Sequence, residues 1–375
     1  MTEGIPTPAL DDETAMRSYL QRIATGPELS KDISLEEARH GMQLILEGRA
    51  DPVQAGIFLI ALRMKRETDD ETRGILEAIR QATIRVEADV DHVVDMADPY
   101  DGFNRTLPVS PFLPAVLAAC GVAAFSHGVR SVGPKFGATH SQVLEVAGVE
   151  IDGTPEQIAA RLADPAVGWG YLDQSRFCPQ LHALIELRRL IVKRPAVTTT
   201  EVLAGPITGR VATHLVTGFV HKPYPRIYAL LARHAGYESA MLVRGTEGGV
   251  VPSLRQAGKI WHYHARGEER EVDIDPQSLG IEQELRAVPL PEDLPGYRAK
   301  TDGVATGVDA GAIAEAAARA GVEALEGKRG AAFDSLVYGA ALTLWHLGRH
   351  ASLAEAADRV REVLTGGQAL ARLRA

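Results

Sequence analysis

Only two of the 375 residues are cysteine, Cys120 and Cys178. Two isolated thiols make neither a disulfide framework nor a metal-ligand spacing, so a disulfide-stapled secreted fold and a thiolate metal centre are excluded and a reducing interior is expected. Both thiols are expected as buried small hydrophobes rather than nucleophiles. No apolar run reaches the ~18 residues that a membrane span needs. The opening segment MTEGIPTPALDDETAM is acidic and contains proline, without the positive start and apolar run of a signal peptide, so a cytoplasmic protein is predicted. Also missing are a Walker loop, a Gly-x-Ser-x-Gly nucleophile elbow, internal repeats and low-complexity tracts.

What is present points to a large core. Hydrophobic residues make up 45% of the chain, and at this length one large and one small domain are expected. A net charge of −9 gives no global attraction to nucleic acid or acidic lipid. The charge is uneven, however. Residues 171–270 hold 14 Lys and Arg against 7 Asp and Glu, a net +7 that leaves −16 for the remainder, and half of the twelve histidines fall there.

The first 85 residues read as helices. Ser34 is a predicted N-cap with Glu36 and Glu37 in the first turn, and Met42, Ile45 and Leu46 follow at helical spacing. GRADPVQ breaks that helix, and Asp51 caps the next with Pro52 at its first position. Strand and helix then alternate. Val93, Val94 and Met96 predict a strand, PFLPAVLAACG a helix, VAAFSHG a strand and turn, and HSQVLEVAG a helix closed by Gly148. VATHLVTGFV, YPRIYALLARHAG and SAMLVRGTEGG repeat strand, helix, strand, so an α/β domain with a central sheet is expected. Residues 268–302 are polar and broken by prolines, with REVDIDPQSLG as a short edge strand and turn. From Asp309 the chain is Ala-rich and helical, and AAFDSLVYGAALTLWHLGR, apolar nearly all round, is expected in the core.

Three stretches carry a resemblance: SLEEARHGMQLILEGRADPVQAGIFLIALRMKRET, SHGVRSVGPKFGATHSQVLEVAG and GAALTLWHLGRHASLAEAADRVREVLTGGQALARL. Together they resemble the anthranilate phosphoribosyltransferase family, within the family 3 glycosyltransferases and class II nucleoside phosphorylases. The resemblance implies a small N-terminal helical domain (residues 1–88, including an N-terminal extension) and a large α/β domain (89–375) whose mainly parallel sheet is flanked by helices. Helices from 170–200 are expected to join the small domain. It further implies a homodimer formed through the helical domains, with phosphoribosyl diphosphate and Mg2+ in the cleft between domains.

Phosphoribosyl transfer requires a held diphosphate, neutralised charge and an oriented acceptor. The sequence departs from the family at those points. In place of the family's Gly-Thr-Gly-Gly-Asp turn stand Ala97, Asp98, Pro99, Tyr100 and Asp101; proline offers no N–H and tyrosine cannot approach a phosphate as glycine does. The following Asn and hydroxyl cluster fall near Pro108, Ser110, Pro111 and Leu113, keeping Ser110. The magnesium-binding Asp-Glu pair is reduced to Glu247 in VRGTEGGVVPS. The Met-Arg-His acceptor motif corresponds to Leu181, His182 and Ala183, so ordinary anthranilate activity is not expected. The family's Lys-His-Gly-Asn-Arg-Ser becomes Ser126 to Ser131, followed by Gly133, Pro134 and Lys135. His127, Gly128, Arg130, Ser131, Lys135 and Ser110 are the predicted anion-binding residues, because a glycine-containing turn with a guanidinium and an ammonium suits phosphate.

The expected function is thus a divergent member of the family that binds a phosphorylated ribosyl ligand. The alternative is a non-catalytic binder of single-stranded nucleic acid, using Arg188, Arg189, Lys193, Arg194, Arg226 and Lys259 with interleaved aromatics as a basic groove across a dimer. His262 and His264 share a face of an extended segment without an evident third ligand, which argues against a metal there. His346 and His350 stand at i, i+4 near a helix end that favours cations anyway.

Overall fold

The computed structural model describes residues 11–26, 28–296 and 309–375. The acidic extension before residue 11 and the end of the polar stretch, 297–302, lie outside the described residues.

Four helices open the chain: α1 (Asp12–Ile23), α2 (Leu35–Leu46), α3 (Pro52–Lys65) and α4 (Asp69–Ala82). Their starts follow from local chemistry. The Ser34 hydroxyl accepts the Glu37 N–H while the Glu37 carboxylate accepts the Ser34 N–H, a reciprocal box that satisfies two otherwise orphaned donors. Asp51 caps α3 with Pro52 at its first position, and Thr68 with Glu71 repeats the box on α4. Helices α2 and α4 pack closely at Gly74, where a Cβ would stand 2.3 Å from the Leu35 carbonyl oxygen. Phe58, Leu59, Leu62, Ile75 and Ile79 fill the space between the helices, each fully buried and worth roughly 1.5–3 kcal/mol of apolar burial.

A two-stranded parallel ribbon, β1 (Val86–Ala88) with β5 (Ile207–Gly209), joins this bundle to the rest. The main sheet has seven strands: β2 (His92–Ala97), β3 (Ala124–Gly128), β4 (Trp169–Asp173), β6 (Ala212–Gly218), β7 (Ser239–Val243), β8 (Gly258–Tyr263) and β9 (Arg270–Ile274). The order is β4-β3-β2-β6-β7-β8-β9, parallel through β7 and antiparallel at β8 and β9, so REVDI is the edge strand that its sequence predicts. Helices α5 (Leu113–Ala119), α6 (His140–Val146), α7 (Pro155–Ala163) and α12 (Tyr224–Ala235) connect the strands. Four short helices, α8 (Gln174–Phe177), α9 (Pro179–His182), α10 (Ile185–Ile191) and α11 (Val197–Thr200), lie in 174–200, and the last three touch α3 or α4.

The C-terminal helices α13 (Ala310–Leu325), α14 (Ala331–His346), α15 (Leu353–Thr365) and α16 (Gln368–Arg374) cover the sheet. Helix α14 buries Phe333, Leu336, Val337, Ala341 and Leu344, as its unbroken apolar pattern requires. The final helical stretch is divided at Gly366 and Gly367, where Gly367 takes φ +76° and restarts the helix as α16. Cys178 is buried and Cys120 partly so; burial pushes the Cys120 thiol up to about 11 and raises that of Cys178, so neither is a thiolate at neutral pH. No helix among the described residues is long and apolar enough to cross a membrane.

The strand order positions the site. From β2 the chain builds β3 and β4 on one side, then crosses to β6 and β7 on the other. Crevices open outside the carboxyl ends of the strands at such a switch point. Here it lies beyond Ala97 and Thr217, which are register partners on β2 and β6.

Candidate functional site

A cavity of about 680 Å³ occupies the switch point, a size typical of small-molecule sites. Its floor is Pro99, Thr217, Gly218 and Phe219 at the ends of β2 and β6, and Glu247 and Gly248 close one side. Gly218 is required there, since a Cβ would stand 2.0 Å from the Gly248 carbonyl oxygen. The helical bundle supplies the opposite wall through Arg63 of α3 and Thr198 and Thr199 of α11. His221 and Tyr224 bring the start of α12 to the same cavity.

Four cations converge on this space: Arg63, Arg105, Lys135 and Arg194. Arg63 is locked in place, donating to the Tyr224 hydroxyl at 2.9 Å and to Thr199 Oγ1 at 3.2 Å. Arg194 donates to Asp101 Oδ2 at 2.6 Å, and Lys135 Nζ lies 3.4 Å from Asp101 Oδ1. Asp101 is thus a buried counter-ion shared by two cations, and its Oδ1 accepts no hydrogen bond. No ion pair of the Arg105 guanidinium with a carboxylate is found among the described residues.

Glu247 is committed elsewhere. Its carboxylate accepts the Asn104 N–H at 3.2 Å, the Arg105 N–H at 2.9 Å and the Thr106 hydroxyl at 3.0 Å, pinning the 103–106 bend. It does so from a left-handed backbone, φ +54°, that a non-glycine residue adopts only when its surroundings fix it.

The predicted anion-binding loop does not line the cavity as a unit. Lys135 alone of the six predicted residues reaches it. His127 is directed into the interior: Nδ1 meets the Tyr100 hydroxyl and Nε2 the Asp95 carboxylate at 2.9 Å, while Tyr237 donates to the other Asp95 oxygen at 2.6 Å. Burial raises the Tyr100 and Tyr237 hydroxyls well above the usual range, so both remain donors. Gly128 ends β3 beneath them, with a Cβ position 3.4 Å from the Tyr171 hydroxyl. Ser110 bonds Asp98, which also receives His140 Nε2 at 2.7 Å and the Val250 N–H at 2.8 Å. Arg130 is exposed and paired with Glu145 at 2.7 Å, and neither it nor Ser131 borders the cavity. The Tyr100 hydroxyl and Asp95 hold His127 inward, which residue types alone did not reveal.

The predicted basic groove is similarly altered. Arg188 is buried against Glu201 through two 2.7 Å bonds. Arg189 pairs with Glu186, Arg226 with Asp69, Lys259 with Glu271 and Arg194 with Asp101. Of the six, only Lys193 lacks a carboxylate partner among the described residues. Three of these five pairs, those of Arg194, Arg226 and Lys259, use acidic residues from outside 171–270, which a local count cannot include. His182, which the resemblance sets against an acceptor arginine, does not line the cavity. His346 of α14 comes beside His262 and His264, the third imidazole that sequence spacing did not supply, while His350 stays outside the group.

A helical bundle set against a mainly parallel sheet, with a cation-lined cleft between them, defines an α/β protein with a helical cap domain. Residues 17–83 match the model of the glycosyl transferase family helical bundle domain, and residues 101–370 that of the family's a/b domain. An anthranilate phosphoribosyltransferase from Thermomicrobium roseum is 30% identical over 359 residues, covering 95% of this chain and 94% of its own. An uncharacterized protein from Aquifex aeolicus is 27% identical, covering 89% of this chain and 94% of its own. The anthranilate phosphoribosyltransferase of Saccharomyces cerevisiae in complex with PRPP and Mg has the same fold, with TM-score 0.74, 17% identity and 97% of each chain covered. The chain belongs to the glycosyl transferase family, as an anthranilate phosphoribosyltransferase-like member.

Proposed function

We propose that this family member binds a phosphorylated ribosyl ligand in the interdomain cleft and holds its phosphates with side-chain cations. The observation that carries the reading is the convergence of Lys135, Arg194, Arg105 and Arg63, from four separate segments, on one cavity at the switch point. An incoming phosphate would take the place of Asp101 as counter-ion to Arg194 and Lys135. Phe219 and Tyr224 offer apolar faces for the remainder of the ligand, and the first turn of α12 favours negative charge beside them. The yeast relative with PRPP and Mg has the same fold, which supports the choice of ligand class.

The residues present do not fit a magnesium ion. Glu247 has both oxygens occupied by the 103–106 bend, and Asp101 is already shared between two cations. Charge on a departing diphosphate would fall to Lys135, Arg194 and Arg105. Residues 181–183 read Leu-His-Ala without the arginine of the resembled acceptor motif, so an acceptor other than anthranilate is part of this reading. A homodimer is also part of it: Val53, Ile57 and Met64 on α3, with Leu190 and Val192 near the end of adjoining α10, expose an apolar face of the helical domain.

Calorimetric titration with phosphoribosyl diphosphate, with and without magnesium, tests the proposal. Saturable binding is expected in both conditions. Lys135→Ala is expected to weaken it about 10- to 100-fold, the worth of a charge-assisted hydrogen bond. Absence of binding, or affinity that ignores Lys135→Ala, overturns the reading. A parallel titration with single-stranded DNA at two salt concentrations tests the nucleic-acid alternative, for which steep salt dependence is diagnostic.

A further inference from the structure

At the opposite end of the sheet from the cleft, three imidazoles meet. His262 is the penultimate residue of β8, His264 follows that strand, and His346 is the last residue of α14. One ring nitrogen from each lies within 4.8 Å of the other two. We propose that His262, His264 and His346 form a binding site for a divalent transition metal of the zinc class.

The geometry carries this in two ways. His262 Nδ1 and His346 Nδ1 face one another at 3.3 Å. Two nitrogens each about 2.0–2.1 Å from a tetrahedral zinc stand about 3.3 Å apart, so this pair already has the bite such an ion requires. His264 is exposed and stacks on His346 with ring centroids 4.5 Å apart, which leaves it rotameric room to close the third position. Water completes the fourth.

The second support is the shell behind the ligands. His346 Nε2 lies 2.9 Å from Ser239 Oγ, and that hydroxyl lies 2.8 Å from His214 Nδ1. When Ser239 accepts from His346 Nε2–H and donates to His214, the His346 Nδ1 lone pair is left facing the site. Metal-bound histidines are oriented by this type of outer hydrogen bond. Trp345 packs 5.3 Å from the His262 ring and restricts it. An all-imidazole donor set selects zinc, nickel, cobalt or copper over magnesium and calcium, which take oxygen. The ion would tie the β8–β9 hairpin to α14.

The test uses the full chain without a polyhistidine tag, stripped with chelator and titrated with Co2+ followed by visible absorption. One equivalent is expected to give the intense bands of a tetrahedral nitrogen site, lost on adding Zn2+. His346 is buried and its removal risks the fold, so the decisive variant is His262→Gln with His264→Gln, at half-buried and exposed positions; it is expected to melt cooperatively and to lose the bands. Ser239→Ala is expected to weaken binding about 10- to 100-fold as an outer-shell change, and His350→Ala to leave it unaltered. The absence of saturable binding in the unaltered chain, or bands that survive the double substitution, overturns the proposal. In either case the three imidazoles are a hydrogen-bonded structural cluster.

Discussion

At the carboxyl ends of β2 and β6, Lys135 and Arg194 share Asp101, and Arg63 is fixed between a tyrosine and a threonine. At the amino ends of β6 and β7, His214, Ser239 and His346 share one hydroxyl, and burial keeps the imidazoles neutral. The first end concentrates formal charge and opens a cavity; the second concentrates imidazole lone pairs, from buried His346 to exposed His264. The two ends of one sheet thus differ in chemistry, and the two proposals follow that difference: an anion at one end and a divalent transition metal at the other. The difference arises from what burial costs. The cleft places cations beside a carboxylate, whereas burial disfavours the charged form of His214 and His346.

The largest effect is expected from separating the cleft end from its support. Arg188 and Glu201, each 1% exposed, tie α10 to the segment whose Glu201 carbonyl also receives the Tyr100 hydroxyl. Arg188→Ala leaves a buried carboxylate unpaired and should cost about 3–5 kcal/mol in denaturant unfolding. Replacing both residues by methionine should cost far less, because no charge is then stranded. Hydrogen exchange in the Arg188→Ala protein should rise around 185–203 and not in β8 or α14; equal loosening of both ends would show that the two are not independent.

The histidine end should respond to pH. Burial and the nearby His92 bring His214 from 6.5 down to about 4. Below pH 6.5 the unfolded chain takes up a proton that the folded chain refuses, so stability falls as pH drops and levels off near pH 4. For His214 the loss is roughly 3 kcal/mol over that window. His214→Gln should remove this part of the slope of unfolding free energy against pH. An unchanged slope would mean that the imidazole is already charged in the fold.

Helix starts and the strand alternation were legible because their causes are local: Ser34, Asp51 and Pro52 act within one turn, and the apolar pattern of α14 is continuous. The edge position of β9 was legible for the same reason. The site was legible only at single residues. Lys135 and Arg194, singled out in the sequence, border the cavity, whereas Arg63 and Arg105 were not singled out, since nothing in an ordinary helical or turn segment shows that its arginine faces a distant strand end. A basic residue's partner is equally hidden when it lies more than a hundred residues away, as Asp69 does for Arg226. His346 was read beside His350 by helical spacing, yet its neighbours are His262 on β8 and His264 just after it, reached only through the tertiary fold.

Between the two ends, Tyr100, His127, Asp95 and Tyr237 form a buried hydrogen-bonded row across β2 and β3. Tyr100→Phe keeps the ring and removes one hydroxyl, leaving a His127 nitrogen without its partner. The expected cost is about 1–2 kcal/mol in denaturant unfolding, with cleft affinity nearly unchanged because Tyr100 does not line the cavity and its ring is kept. A large loss of phosphoribosyl diphosphate binding would instead make this row part of the site.

Arg130 should matter least, although its sequence context makes it the most attractive anion ligand in the loop. Its guanidinium lies 2.7 Å from Glu145, and its side chain is 61% exposed. Such a pair is worth about 0–1 kcal/mol, because water screens it and two long side chains must be ordered to make it. Arg130→Ala should therefore shift unfolding only slightly and leave phosphoribosyl diphosphate affinity unaltered, against the 10- to 100-fold loss expected for Lys135→Ala. The contrast tests position against residue type. Both cations follow the same strand, but only Lys135 is carried past Gly133 and Pro134 to the cavity wall. A loss of affinity in Arg130→Ala equal to that in Lys135→Ala would require the loop to turn over when ligand binds, bringing Arg130 away from Glu145 and into the cleft.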